Sequence, residues 1–448
     1  MNLSKPILKL VVIYFYEMTK RTTALENGNA VNRKRIKGEN KPRLKEGEDV
    51  KIVEIFWNCK TNEISKDPLD LPLRVVLPYH FEFRTYCKGR WVGKTILEVS
   101  NEFIAYSEEY YKRVIENGRI TVNEKPCSVD QILKDNDLII HKAMCVENVA
   151  VAFPKIKVIG FTRDVVAIDK PCSLAIHPTG GYRYNTVMEM FRTSAVETNV
   201  EEDLSGVLNV HRLDRVTSGL VILARNSSTA RKITELFTDS SEDLPGDITL
   251  ENVKELLSKK TIRKTYLARV RGRFSSMDEF FVDGYMRCVD IRGGKHALVS
   301  TKESEKDRWS CTIFKPLFYD PENDETVVQC CPITGRTHQI RVHLQSVGHA
   351  ISNDEFYGGS TLPDSHVFKM RSLPSSTVVI KALLQSGKLN DLDEHMLKDL
   401  ECIREPLEAH TSVDNSHLSG IFLHALRYEI PSMGIDYETD RPGWAVKK

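Results

Sequence analysis

The sequence lacks the marks of several protein classes. Its ten cysteines, at 59, 87, 127, 145, 172, 288, 311, 330, 331 and 402, form no C-x-x-C pair and no regular framework. That argues against a zinc site or a disulfide scaffold and for reduced thiols inside a cell. The adjacent pair Cys330-Cys331 reads as strand core. Neither G-x-G-x-x-G nor G-x-x-x-x-G-K-[ST] occurs, so a nucleotide cofactor and ATP-driven chemistry have no support. The longest apolar run, Ile7 to Tyr16, is broken by Lys9 and is about half the roughly 20 residues that span a bilayer. No membrane protein is expected. Net charge is nearly absent: Lys+Arg 63 against Asp+Glu 62 leaves +1. A bulk polycation is excluded, but local basic patches are not. Repeats and low-complexity segments are missing too.

What is present is 448 residues with 41% apolar content, enough for two or three domains with a sizeable core. Residues 1–50 read as a flexible basic tail. From Arg33 to Lys45 it carries seven basic residues and one acid, Glu39, a block that stays solvated or lies along a phosphate backbone. A start at Met18 would open with the basic, hydroxylated Met18-Thr19-Lys20-Arg21-Thr22-Thr23, as in a mitochondrial presequence, whereas a start at Met1 puts the apolar run first. The expected location is cytoplasmic, with mitochondrial import left open.

Residues 79–145 form a small basic unit. Thr95–Phe103 and Glu109–Glu116 have helical spacing, and Asn117-Gly118 is a stop signal. Arg119–Asn123 and Asp135–His141 read as short strands. From residue 155 to 448, strands dominate: Val165–Ile168, Gly219–Leu223, Lys264–Val270 and Thr326–Gln329. Helices are expected near Thr186–Thr193, Ser227–Thr238 and His338–Ser346. The fold class is therefore α+β with a mixed, mostly antiparallel sheet. Polar stretches near 239–260 and 387–416 are expected to be surface insertions.

The densest polar cluster is HRLDRVTSGL, His211 to Leu220, just before an apolar strand. Alone, Asp214 would close a turn or pair with Arg212 or Arg215. A second cluster, Pro332 to Leu344 (PITGRTHQIRVHL), places Arg336 and backbone amides at a helix start, where an anion would sit. His338 and His343, five apart, do not share a helix face as metal ligands at i, i+4 would. They read as structural, with His338 near phosphate; no metal is expected.

Together these clusters resemble the RluA-type pseudouridine synthase family, whose signatures are H-R-L-D-x-x-T-S-G-L and G-R-x-H-Q-I/L-R-V-H-L. Four more motifs follow in the family's order. They are Asp169-Lys170-Pro171 with Ile176-His177-Pro178, Lys264-Thr265-Tyr266, Gly348–Ile351 with Asn353-Asp354 and Tyr357-Gly358, and Leu423-His424-Ala425. Cys172-Ser173 and Ala350 depart from the usual Ser-Gly and Pro. The small unit, with KRVIENGRITVNEKP, resembles the S4-like (alpha-L) RNA-binding module. The plain alternative is an ordinary α+β appendage.

The resemblance implies an isomerase that needs no cofactor. Uracil is detached from ribose, rotated and rejoined through carbon, and a carboxylate acts near the anomeric carbon, as in glycosidic chemistry generally. By resemblance that carboxylate is Asp214; whether it attacks the sugar or the base, or abstracts a ribose proton, stays open. Arg336 matches the motif arginine and is expected to keep Asp214 ionised. Tyr266 matches the tyrosine that packs on uracil and acts as base. Arg212 would fill the space left by the extruded uridine. His211, Thr217 and Lys264 are expected beside the substrate, His211 and Thr217 chiefly fixing the loop. Lys88, Arg90 and Lys94 are expected phosphate contacts. HPTGGYRYNTV and the closing LHALRYEIP…YETDRPGWA resemble the eukaryotic tRNA branch, which modifies the anticodon stem-loop at position 31, favoured here, or 32. The partner is then tRNA and the chain a monomer. A ribosomal-RNA synthase, a catalytically silent RNA-binding protein and a hydrolase with a water at Asp214 are the alternatives; the last lacks a convincing second acid.

Overall fold

The computed structural model describes residues 50–447 except 68–69, 103–105, 153–154, 180, 194–195, 197–202, 239–247, 291–293, 360–372, 391, 393 and 403–419. The basic tail and both start-codon readings lie outside the described residues. Among the described residues, no helix is long and apolar enough to cross a membrane.

Strands β1 (Ile52–Asn58), β2 (Glu63–Ser65) and β3 (Leu71–Val76) come first among the described residues, with β1 central and antiparallel to both β2 and β3. β3 also pairs with a later strand, β8 (Ala150–Val151). This four-stranded sheet was not anticipated from sequence, because its strands are short and hold Arg74 and Pro72 inside the apolar run. Between β3 and β8 lies the small unit. It runs β4 (Tyr79–Tyr86), α1 (Ile96–Asn101), α2 (Glu108–Glu116), β5 (Ile120–Val122), β6 (Lys125–Pro126) and β7 (Leu138–Cys145), with sheet order β4-β7-β5-β6. Thr95 and Glu98 form a capping box that starts α1, which satisfies two amide donors the helix cannot. Gly118, at φ +68°, turns the chain out of α2 into β5 at no steric cost. Trp91, Ile96, Tyr110, Val114 and Ile120 fill the space between helices and sheet.

The remaining chain builds one large sheet. It contains β9 (Lys157–Phe161), β10 (Val165–Lys170), β11 (Leu208–Asn209), β12 (Ser218–Ala224), β13 (Arg263–Arg271), β14 (Phe280–Asp290) and β15 (Lys295–Val299). β16 (Arg308–Asp320), β17 (Glu325–Pro332), β18 (Leu423–Ile430) and β19 (Ile435–Glu438) complete it. The order is β15-β14-β16-β17-β13-β18-β12-β10-β9, with β11 beside β12 and β19 beside β18. Every pairing is antiparallel except β12 with β18. The expected mixed, mostly antiparallel α+β layout is therefore what forms. Helices α3 (Val187–Arg192) and α4 (Ser227–Thr238) contribute Val187, Phe191 and Ile233 to one half of the core. Helix α6 (Gln339–Ser346) contributes Ile340 and Leu344 to the other.

Three motif strands lie side by side at the centre. Ser218 and Gly219 of β12 face His424 and Ala425 of β18, and Ala425 faces Tyr266 of β13 on its other edge. Gly219 has φ +110°, and a Cβ there would stand 2.2 Å from the Ala425 carbonyl oxygen. The glycine is thus required by close backbone approach.

Both expected insertions carry packed structure. In 239–260, residues 239–247 lie outside the described residues, but α5 (Leu250–Lys259) buries Val253 against Trp309 and Ile313. In 387–416, residues 403–416 lie outside. Helix α8 (Glu394–Cys402), with α7 (Ser376–Gln385) before it, packs Met396 and Leu400 on the β1–β3 sheet beside Trp57 and Leu73. These stretches are not mere surface insertions. Their two apolar contacts at i, i+4 bury one face, while the surrounding charges make the segment read as solvated. Asp399 on α8, 1% exposed, accepts from Arg113 of α2 at 2.7 Å and Arg119 at 2.6 Å, tying the helical pair to the small unit.

Candidate active site

A cavity of about 220 Å³ opens where the 211–217 loop, the start of β13, the 332–341 segment and β18 meet. The loop is held by its backbone neighbours. Thr217 N–H donates to the Asp214 carbonyl at 3.1 Å, closing a turn. The fully buried Lys170 at the end of β10 donates from Nζ to the carbonyls of Pro171, Leu174 and Arg215 at 2.8, 3.0 and 3.3 Å. Burial lowers the pKa of this amine to about 7; charged or neutral, a buried amine needs such acceptors, and the Arg215 bond fixes the residue next to Asp214. On the far side, Ser218 Oγ and His424 Nδ1 are 2.9 Å apart, and His424 Nε2 is 2.7 Å from Thr439 Oγ1, a chain joining β12 to β18.

Asp214 is bound through one oxygen. Its Oδ2 accepts from Arg341 Nη1 at 3.2 Å and lies 3.6 Å from His338 Nε2. Oδ1 takes no hydrogen bond or ion pair among the described residues. Burial alone would push this carboxyl pKa up. His338, Arg341 and Arg212 outweigh it, and the net shift is below the ordinary aspartate value. His338 is itself uncharged near neutral pH, because burial lowers its pKa to about 4. The lasting charge at neutral pH is therefore the guanidinium. Arg341 is 7% exposed, and its other edge grips Asp354 in a fork, Nε to Oδ2 at 2.7 Å and Nη2 to Oδ1 at 2.8 Å. Such bidentate pairing fixes the direction in which Nη1 points.

The expected partner of Asp214 was Arg336, and this is corrected. Arg336 lines the cavity, but its Nε donates to the Trp309 carbonyl at 3.0 Å and its backbone N–H to Gln339 Oε1 at 3.0 Å. The amide expected to be open to an anion is thus occupied by a side chain. The reason is the helix start: α6 begins at Gln339, so Arg336 stays in the preceding loop and Arg341 occupies the first turn. His338 is half-buried, and its ring lies beside Asp214. His343 stays structural, its Nε2 2.9 Å from Ser310 Oγ.

Tyr266 lines the cavity, and its hydroxyl is 2.5 Å from that of Tyr428 on the neighbouring β18. Burial raises its pKa, the Tyr428 bond lowers it and the Asp214 charge raises it; the net shift is well upward, so the phenol stays protonated. His211 lines the cavity while Nε2 accepts the Ile222 N–H at 2.9 Å and the ring stacks on Phe237 at 5.0 Å. Burial drops its pKa to about 3, so it serves as a neutral acceptor. Thr217 is 2% exposed, with Oγ1 buried and unpartnered among the described residues, a group whose desolvation a substrate polar atom would offset. Lys264 Nζ sits 4.6 Å from the centre of the Phe237 ring, its pKa lowered to about 8 by burial. Arg212 is exposed at the cavity.

Seven expected residues thus line one cavity: Asp214, Tyr266, Arg336, Arg212, His211, Thr217 and Lys264. Lys88, Arg90 and Lys94 do not. They sit on the small unit, where Lys94 Nζ is 2.6 Å from Glu102 and Arg90 3.9 Å from it. Lys88 and Arg90 each lie 5.1 Å from the Trp91 ring centre. Residues missed from sequence are Arg341, Asp354, Tyr357, Tyr428 and, as a neighbour of Asp214, His338. Each stands inside a quoted motif, but only contacts across the fold reveal its place.

Residues 164–346 match the model of a family described as RNA pseudouridylate synthase. A mitochondrial tRNA pseudouridine(32) synthase of Saccharomyces cerevisiae is 31% identical over 398 residues, 85% of this chain and 78% of that one. The tRNA pseudouridine(31) synthase of the same organism is 30% identical over 427 residues, 83% of this chain and 95% of that one. Pseudouridylate synthase RPUSD2 of Mus musculus is 33% identical over 344 residues, 76% of this chain; the chain spans only 53% of that relative's length.

Proposed function

The chain belongs to the RNA pseudouridylate synthase family, in its RluA-type branch, and is an isomerase; on that premise we propose that it converts a uridine of the tRNA anticodon stem-loop, at position 31 or the neighbouring 32, to pseudouridine. The observation that carries this is the cavity in which Asp214 is kept ionised by Arg341, with Oδ1 in no hydrogen bond or ion pair among the described residues and Tyr266 lining the same cavity. Relatives named for position 31 and for position 32 match almost equally, at 30% and 31% identity.

In this reading the uridine leaves its stack at a cost of a few kcal/mol, and Arg212, exposed at the cavity, fills the space behind it. Asp214 acts through Oδ1 while the bond from N1 to the ribose C1′ breaks. Uracil turns, a bond forms between C5 and C1′, the C5 proton is lost and N1 gains one, so atoms balance without a co-reactant. Tyr266 packs on the base. With its proton held by burial, it takes the C5 proton only once its own has been lost to solvent, because the neighbouring Tyr428 is a protonated phenol too. The buried Thr217 Oγ1 supplies a polar partner for the bound nucleotide. We extend the reading to cytoplasmic and mitochondrial tRNA pools.

The test is pseudouridine mapping, by selective adduct and reverse-transcription stop, on total cellular RNA with and without the gene. Loss of one anticodon-stem signal supports the reading and selects position and compartment. A signal lost only in ribosomal RNA replaces the substrate. Unchanged RNA, together with purified protein no more active than its Asp214→Ala variant, would leave an RNA-binding protein without catalysis.

A further inference from the structure

His338 stands just before α6 with φ 58° and ψ 18°, the left-handed region that residues with a Cβ seldom adopt. This backbone carries the ring between two groups. Nδ1 lies 2.8 Å from Tyr357 Oη, and Nε2 lies 3.6 Å from Asp214 Oδ2. Tyr357 is fully buried, and its Oη also accepts the backbone N–H of His296 at 3.1 Å. The phenol also has one hydrogen to give, and among the described residues the partner in reach that can accept it is Nδ1. A neutral imidazole has one N–H. With Nδ1 accepting, that hydrogen is on Nε2 and points at the carboxylate.

We propose that His338, locked by Tyr357 as the Nε2–H tautomer, is a positioning residue that holds Oδ2 of Asp214 together with Arg341 and leaves Oδ1 as the reacting oxygen. The inference rests on the reading of Asp214 given above. At 3.6 Å the contact is longer than a hydrogen bond, and a shift of the carboxylate by about half an ångström closes it, as substrate-free sites commonly require. The reversed tautomer would set a nitrogen lone pair against the carboxylate and leave Oδ2 to Arg341 alone. Burial keeps the ring uncharged at neutral pH, so it directs the carboxylate without neutralising it. The Arg341 guanidinium, 4.8 Å from the centre of the Tyr357 ring, packs the same phenol from another side.

The experiment uses the full chain, labelled with ¹⁵N-histidine, and a transcript of the tRNA stem-loop identified by mapping. Long-range ¹H–¹⁵N correlation is expected to report the Nε2–H tautomer for His338 at neutral pH and its loss or mixing in Tyr357→Phe. In single-turnover assays His338→Ala should lower the rate constant about 10- to 100-fold with RNA affinity unchanged. His338→Gln, whose amide nitrogen reaches the Nε2 position, should recover most of the rate. His338→Asn, whose amide reaches only the Nδ1 position, should not, and this pair decides the matter if the alanine variant folds poorly. An Nδ1–H tautomer, a glutamine variant as slow as asparagine, or a loss that lies wholly in RNA affinity overturns the proposal. Undiminished activity of Asp214→Asn in the same assay sinks the parent reading instead. The tautomer signals stand apart from that result.

Discussion

Arg341 holds Asp214 from Nη1 at 3.2 Å while its Nε and Nη2 grip Asp354 at 2.7 and 2.8 Å. One buried guanidinium thus spans the HRLD loop and the SND turn. Losing either carboxylate leaves the arginine poorly paired, and losing the arginine leaves two acids facing each other. Removing one partner from a buried pair costs about 3–5 kcal/mol. Asp214, 27% exposed, recovers part of that from water.

Arg341→Ala should therefore remove most of the rate, on the order of 100-fold or more. Its signature lies in pH. Asp214 has a lowered pKa and acts ionised, so wild-type activity survives into acid and falls as pH drops through that low value. Without the guanidinium the carboxyl pKa rises, and the acid limb of kcat/KM moves to higher pH. Arg336→Ala should weaken RNA affinity and leave the limb in place. A limb that moves with Arg336 and stays with Arg341 would reverse the assignment.

Gly219→Ala should break the joint between β12 and β18. The added methyl would stand 2.2 Å from the Ala425 carbonyl oxygen, at a backbone φ of +110°. Strain and overpacking together cost roughly 2–6 kcal/mol. A lowered melting temperature or failure to accumulate as folded protein is expected. Unchanged melting would show that the parallel pairing tolerates a Cβ.

Asp399→Ala should loosen the small unit. Two arginines lose a carboxylate that is 1% exposed. The stability loss is about 3 kcal/mol, the low end for a buried pair, since Arg113 is 32% exposed. RNA affinity should fall while the rate at saturating RNA is kept, as measured by titration and single turnover. Equal loss of rate would mean that α8 supports the cavity itself.

Neutralising Lys88, Arg90 and Lys94 together should weaken RNA binding and flatten its dependence on salt by up to three phosphate contacts. The lysine and arginine beside Glu102 are partly spent on it, so the measured slope change should fall short of three. An unchanged slope would remove the small unit from RNA contact.

The cavity was legible because its chemistry is carried by short contiguous strings. HRLD puts Asp214 next to its own loop anchors, and the glycine and apolar run behind it start β12. Helix and strand periods likewise placed β10, β12, β13, α4 and α6 within a residue or two, and left β17 three residues short at its end. The pair of Asp214 with a guanidinium was expected; its partner was not. Arg336 and Arg341 both lie in one motif, and choosing between them requires the point at which α6 begins, which Gln339 decides by capping the Arg336 amide.

By itself the sequence determined the family, the candidate for the reacting carboxylate and the alternation of strands, since these depend on residue type and local spacing. Tertiary structure alone decided which arginine reaches Asp214, that His338 stands beside it, that Tyr428 meets Tyr266 across a strand pair, and that α7 and α8 cover the β1–β3 sheet. The physical reason is that these are contacts between segments from about 120 to more than 300 residues apart. Their partners are selected by sheet register and by where each helix starts, and neither quantity is written in the composition or period of either segment alone.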